Sequence, residues 1–247
     1  MNNDISEKYS NDEIPDLNHE EKVKKLFNSI TKSYDLLNRL MSLRQDVKWR
    51  RTMVENLPEN AEILLDVATG TGDVALEAVK QFSVLRVVGV DLAANMLKTA
   101  NEKAVLHNST AKINLLGGNT MQLPFTSNMF DAVTIAFGLR NVRDHQGALK
   151  EMYRVLKPQG KIIILEMSYS PNILLTPFIG LYFNVILPLL GLLVARDRLA
   201  YTYLPKSIRK FLSSEEMKNL LIKTNFTEVK IIPLAFGIVY LHTGIKS

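Results

Sequence analysis

Apolar residues at Val23, Leu26, Phe27 and Ile30 recur at helical spacing, and residues 20 to 56 read as helices, with a break or second short helix at Tyr34-Asp35-Leu36-Leu37-Asn38. Beyond them the pattern changes to short apolar runs bounded by turn residues. Runs at 62 to 67, 85 to 91, 112 to 117, 130 to 136 and 160 to 166 read as buried strands, and helical patterns near 73 to 82, 93 to 107 and 144 to 157 separate most of them. Such alternation predicts an α/β fold, a doubly wound Rossmann-like parallel sheet. The run Lys157-Pro158-Gln159-Gly160-Lys161 ends one helix and turns into the fifth strand. Two further β-like runs follow, near 228 to 233 and 236 to 246.

Between the fifth strand and those last runs, Pro171 to Ala195 carries no charged residue. Its length alone suits a membrane span. Against a span stand Pro177, Pro188, Gly180 and Gly191, and a topological objection: it would leave the last two β runs across a bilayer from the sheet they complete. The expectation is a helical insertion over 168 to 212. It is either a buried hairpin or an apolar cap whose inner face holds a lipid-like ligand and whose rim touches a membrane.

Composition narrows the chemistry. At 247 residues with 47% hydrophobic content, the chain can bury one sizeable core. It has no cysteine, which excludes disulfides, thiolate metal sites and a thiol nucleophile and fits a reducing compartment. His19, His107, His145 and His242 show no ligand spacing, so no metal is expected. Residues 1 to 18 hold Asp4, Glu7, Asp12, Glu13 and Asp16 against Lys8 with little apolar periodicity, and read as a loose tail before a domain over 19 to 247. Basic clusters at Lys22-Lys24-Lys25, Lys48-Arg50-Arg51 and Lys206-Arg209-Lys210 read as solvated helix faces, or as a surface for nucleic acid or an anionic membrane. Nucleic acid is disfavoured. Pyrimidine C5 methylation needs a cysteine, and the Asn/Asp-Pro-Pro-aromatic motif of amino-methylating DNA enzymes is missing.

In an open α/β sheet, ligands sit beyond the carboxyl ends of the strands. The first strand runs into Leu64-Leu65-Asp66-Val67-Ala68-Thr69-Gly70-Thr71-Gly72-Asp73, and the second, Val87-Val88-Gly89-Val90-Asp91, ends on a carboxylate. Gly70 and Gly72 permit a tight turn and close approach of a ligand, while Asp91 suits ribose hydroxyls. A dinucleotide would meet Ala75 where a third glycine is usual, and the carboxylate of Asp73 would repel its pyrophosphate. The same carboxylate suits the sulfonium and amino groups of S-adenosylmethionine, the favoured cofactor. After the third strand, Gly117-Gly118-Asn119-Thr120 is either an ordinary Gly-Asn turn or an adenine contact. After the fourth, Arg140 and Asn141 are either a surface salt bridge and a helix cap or an electrostatic device facing the methyl acceptor. Arg140 would then stabilise a developing phenolate without accepting a proton itself.

From about residue 22 onward the chain resembles the ubiquinone/menaquinone biosynthesis C-methyltransferases. Lys32-Ser33-Tyr34-Asp35-Leu36-Leu37-Asn38 resembles the family's N-terminal signature, and Asp66 to Asp73 its cofactor loop. Phe130-Asp131-Ala132-Val133-Thr134-Ile135-Ala136-Phe137-Gly138-Leu139-Arg140-Asn141-Val142 resembles its most specific block, continued by Met152 to Pro158, and Tyr201-x-Tyr203-Leu204-Pro205-x-Ser207-Ile208 a segment after the cap. The resemblance implies a class I S-adenosylmethionine-dependent methyltransferase acting on a ring carbon of a reduced, polyprenylated quinone precursor. It implies cofactor contacts at Asp66, Gly70, Thr71, Gly72, Asp91, Asn119 and Thr120, and catalysis by Arg140 and Asn141. Tyr34, Asp35 and Tyr201 become candidates for the acceptor pocket. Two departures stand out. Ala136 replaces a cofactor-contacting Ser of some members, leaving backbone contact alone, and Gln159 replaces the usual Gly, at a turn where little cost is expected. The loop and Ala136 tip the expected acceptor toward demethylmenaquinol rather than a methoxy-polyprenyl-benzoquinol. Peripheral membrane contact and a homodimer are the expected associations, in the cytoplasm or at the inner face of its membrane. Two rivals predict different behaviour: an idle lipid-binding module would bind without turnover, and a methyltransferase for a soluble phenol would ignore the prenyl tail.

Overall fold

The computed structural model describes residues 19–83, 85–168 and 207–247. The expected tail, most of the 168 to 212 insertion and Tyr201 lie outside them. Two helices lead, α1 (His19–Met41) and α2 (Gln45–Glu55). The body alternates β1 (Ile63–Val67), α3 (Asp73–Gln81), β2 (Arg86–Asp91), α4 (Ala94–Leu106), β3 (Ile113–Gly117), β4 (Phe130–Ala136), α5 (His145–Val155) and β5 (Leu156–Met167). After the undescribed segment come α6 (Ser214–Lys223), β6 (Phe226–Leu234) and β7 (Val239–Lys246).

The strands form one seven-stranded sheet in the order β3-β2-β1-β4-β5-β7-β6. Neighbours through β5 are parallel, and β7 enters antiparallel between β5 and β6. Successive side chains on a strand point to opposite faces, so adjacent apolar residues feed different layers. Leu65, Val133 and Ile164 join a core roofed by Leu149 and Met152 of α5 and Met217 and Leu221 of α6. Leu64, Ala132 and Ile163 join one roofed by Met53 and Val54 of α2 and Ala75 and Ala78 of α3. This double covering explains why the strands read as continuous apolar runs. Among the described residues, no helix is long and apolar enough to cross a membrane.

The structure differs from expectation in two elements. No break occurs at 34 to 38: Ile30, Tyr34, Leu37 and Met41 continue the helical stripe, and α1 runs on to Met41. The chain turns instead at Leu43 (φ 50°) and Arg44 (φ 62°). The fifth strand starts earlier, at Leu156, with a register shift opposite Phe130 to Ala132. Gln159 sits in that irregularity at φ 62°, left-handed backbone that costs a residue with a Cβ more than glycine, so the expected small cost of this departure is revised upward.

Candidate active site

The loops beyond the carboxyl ends of β1, β2, β3 and β4 converge, as a doubly wound sheet requires. After β1 the chain passes through Ala68 (φ 51°), Gly70 (φ 57°) and Gly72 (φ 80°) into α3. The two glycines do different work. A Cβ on Gly70 would meet no heavy atom within 4 Å, so its backbone faces open space a ligand can enter. A Cβ on Gly72 would stand 3.0 Å from Cβ of Ala100, so this glycine lets α4 pack against the turn. Asp91 ties the first two loops together: one carboxylate oxygen accepts the Gly70 N–H at 2.8 Å and the other the Ala93 N–H at 2.8 Å. Burial raises its pKa, against backbone N–H donors from Ala93, Gly70 and Leu92.

Asp66 belongs to the floor of the cleft. Its oxygens accept the hydroxyls of Thr69 at 2.6 Å and Thr134 at 2.8 Å, and burial pushes its pKa up to about 6 despite those bonds. Tyr34, Asp66, Thr69, Gly70, Thr71 and Ala136 line one cleft, which joins five of the residues singled out from sequence. Ala136 presents no hydroxyl there. The loops at this edge suit S-adenosylmethionine chemically: a carboxylate at the end of β2 behind the Gly70 N–H, a glycine with open space before it, and backbone donors and acceptors of the first turn.

Helix α1 lies along this edge of the sheet and touches each loop in turn. The His19 ring nitrogen is 2.9 Å from the Asn141 carbonyl, and the Asn119 side-chain N–H donates to Glu20 at 2.9 Å. The Asn95 N–H donates to Asn28 at 3.0 Å, and the Thr71 hydroxyl donates to Asp35 at 2.6 Å. Asn119 also accepts the Met121 N–H at 2.9 Å, so the Gly-Asn turn is present whatever else this residue does. Thr120 beside it is buried.

Asp73 corrects the sequence reading. It lines the cleft, but its charge is already matched: Lys103 is hydrogen-bonded to it, Arg39 donates at 2.7 Å and Arg50 lies 3.8 Å away. Burial alone would raise its pKa, but the charges of Arg50 and Lys103, with hydrogen bonds from Lys103 and Arg39, hold it at about 2. Asp46 joins through Arg39 and Arg50, and Asp35 through Lys103 at 2.9 Å, so one ionic network spans α1, α2, α3 and α4. Asp35 therefore stands in the wall of the cofactor loop. Arg50, read in a solvated cluster, is buried, with its guanidinium 5.5 Å from the centre of the Phe137 ring. A larger cavity of about 590 Å³ shares Arg50 and Asp73 and lies between α2, α3 and the end of α4, away from the β4 loop.

At the end of β4, Phe137 (φ 56°) starts a tight turn through Leu139–Asn141. Arg140 donates to the Phe137 carbonyl and to Glu166, each at 2.6 Å. It is thus in a salt bridge, but a buried one, and Asn141 donates to the Phe137 carbonyl at 3.5 Å rather than capping a helix. Tyr34 is half-buried nearby: desolvation raises its pKa, while Arg50, a hydrogen bond with Asn38 and the charge of Arg140 pull the other way. Sequence reasoning missed Glu166, Arg50, Lys103 and Glu20. Glu166 had a signal, a lone carboxylate ending the apolar run Ile162-Ile163-Ile164-Leu165, the same sign that marked Asp91.

Comparison with known proteins gives the family and the fold. The model of the ubiE/COQ5 methyltransferase family matches residues 16–246. A demethylmenaquinone methyltransferase of Bacteroides fragilis is 37% identical over 92% of this chain and 93% of its own, and one of Thermus thermophilus 40% over 89% and 99%. A ubiquinone/menaquinone biosynthesis C-methyltransferase of Dinoroseobacter shibae is 41% identical over 91% and 90%. Among solved structures, a SAM-dependent methyltransferase of Thermotoga maritima superposes with a TM-score of 0.65 at 20% identity, over 91% of this chain and 99% of that one, which shows the shared fold. With family model, relatives and fold in agreement, the cofactor is S-adenosylmethionine and the chain belongs to the ubiE/COQ5 methyltransferase family.

Proposed function

We infer that this protein transfers a methyl group from S-adenosylmethionine to a ring carbon of demethylmenaquinol, giving menaquinol, in quinone biosynthesis. The observation that carries this reading is the Arg140 side chain, buried and held by Glu166 and the Phe137 carbonyl in the turn after β4, next to the loops that place Gly70 and Thr71. The names of the Bacteroides and Thermus relatives support the acceptor. When bound, the cofactor supplies an electrophilic methyl group. Asp91 would receive its ribose hydroxyls, Asn119 and Thr120 its adenine, and Gly70, Thr71, Gly72 and Ala136 its remaining length, over the Asp66 floor. Arg140 and Asn141 would face the acceptor, with Tyr34 beside it. Arg140 stabilises the negative charge that develops on a ring oxygen as its proton leaves, which concentrates electron density on the neighbouring carbon. A guanidinium does not act as a proton acceptor, so water takes the hydroxyl proton; the neighbouring carbon takes the methyl group as the methyl–sulfur bond breaks, and then loses its own proton, which restores the aromatic ring. A reduced acceptor is obligatory, because a quinone ring is too electron-poor to attack.

A benzoquinol acceptor is the second reading, supported by the name of the Dinoroseobacter relative. The test supplies purified protein with methyl-labelled S-adenosylmethionine and, separately, reduced demethylmenaquinol or reduced 2-methoxy-6-polyprenyl-1,4-benzoquinol, anaerobically in detergent. Label in the naphthoquinol is expected. Label in the benzoquinol alone would replace the acceptor, and label in neither with cofactor bound would overturn the reading.

We also propose that the protein works in the cytoplasm against an anionic membrane surface. The α1–α2 tip exposes Leu36, Leu40, Leu43 and Val47 beside exposed Lys32, Arg44 and Lys48. The two carboxylates in this stretch, Asp35 and Asp46, are engaged in ion pairs. Apolar anchors ringed by cations fit the interface of an anionic bilayer.

A further inference from the structure

We propose that Glu166 is a positioning residue for methyl transfer, acting through Arg140. The inference rests on the reading of Arg140 given above. Glu166 ends the apolar part of β5, and its side chain is 2% exposed; that of Arg140 is 8% exposed. The carboxylate is itself fixed by the backbone. One oxygen accepts the Met167 N–H at 2.9 Å together with the Arg140 guanidinium at 2.6 Å, and the other accepts the Arg140 backbone N–H at 3.2 Å. Glu166 therefore grips both the backbone and the side chain of one residue in the turn after β4, from the strand beside it in the sheet.

This grip answers a physical problem in the site. A buried guanidinium loses its hydration and is costly unless it is paired, and an unpaired one would turn toward water. The Phe137 carbonyl alone offers a neutral acceptor. Glu166 adds the counter-charge and a second acceptor for the same Nη1, and it also accepts the Arg140 backbone N–H, so main chain and guanidinium are both fixed in the turn after β4 before any acceptor arrives. Preorganised donors of this kind lower a barrier because they need not reorient as charge develops. The net charge of the pair is zero, so what Glu166 contributes is direction rather than field strength.

A double-mutant cycle tests this, with Glu166→Gln and Arg140→Ala alone and combined. Each protein is checked for its melting temperature, for cofactor affinity by calorimetry, and for kcat and KM with the quinol. A misplacement of about 1 Å at a reacting centre can cost on the order of 100-fold, so Glu166→Gln is expected to lower kcat at least about 20-fold. Cofactor affinity and KM are expected to stay within about 3-fold, the pattern of an interaction made in the transition state. In the Arg140→Ala background the same change is expected to alter kcat less than about 2-fold, since the group it positions is gone. Glu166→Asp, which keeps the charge one methylene short, is expected to recover part of the loss and runs the cycle if the Gln variant fails to fold. Equal losses in both backgrounds would overturn the positioning role while leaving Arg140 in place. A silent Arg140→Ala would instead overturn the reading of Arg140, and this inference with it.

Discussion

Gln159 holds a backbone conformation its side chain disfavours, at φ 62° in the β4–β5 irregularity. Relieving a left-handed non-glycine residue is worth about 1 kcal/mol, less the entropy that glycine adds to the unfolded chain. Gln159→Gly is accordingly expected to stabilise the protein by up to about 0.5 kcal/mol, read as a higher urea midpoint with unchanged slope. A lower midpoint would mean that the side chain makes up for the strain. The contrast between Asp91 and Asp73 shows what is legible at this scale. Both were visible as carboxylates beside the cofactor loop, and Asp91 does bind the first two loops together. The partners of Asp73 come from α1, α2 and α4, distant in sequence, so its neutralisation had no local sign.

The ionic network is what fastens α1 and α2 to the sheet's edge. Asp73→Asn would leave Arg39, Arg50 and Lys103 with less counter-charge in a half-buried setting, and a loss of about 2 kcal/mol at neutral pH is expected. The folded-state pKa of Asp73, about 2, is below its unfolded value of 3.8, so its contribution is complete above pH ~4 and is lost as the pH falls toward 2. The gap between variant and parent in denaturant melts is expected to close over that window; a gap constant from pH 7 to pH 2 would mean that the loss is not electrostatic. At the scale of elements the strands and most helices were legible, because a doubly covered parallel sheet writes its strands as apolar runs. The length of α1 was not. Tyr34, Asp35 and Asn38 look like a break in one dimension, yet the helix continues because Leu37 is buried, Tyr34 is half-buried beside it, and Asp35 is held by Thr71 and Lys103.

The molecule as a whole presents Leu43, 82% exposed, at the α1–α2 tip, and the proposed membrane contact depends on it. Leu43→Asp is expected to keep the fold, since aspartate tolerates φ 50° better than leucine does, and to lower the fraction bound to vesicles of anionic phospholipid at least 5-fold, on the order of 1 kcal/mol. Arg44→Glu with Lys48→Glu is expected to do the same at low salt and less at high salt. Binding unchanged in both variants would remove this surface as the contact, and a dimer lost with Leu43→Asp would reassign it to a second copy. By itself the sequence determined the five parallel strands, the order of elements and the glycine turn after β1, because strand burial and tight turns are encoded by neighbouring residues. It read the whole sheet as parallel, whereas β7 pairs antiparallel between β5 and β6, a long-range choice that no local pattern marks. Only the tertiary structure decided that α1 spans all four loops, that Asp73 serves the scaffold, and that Glu166 holds Arg140. Each of these is a contact between charged or polar groups far apart in the chain, and such pairing leaves no periodicity for a sequence to show.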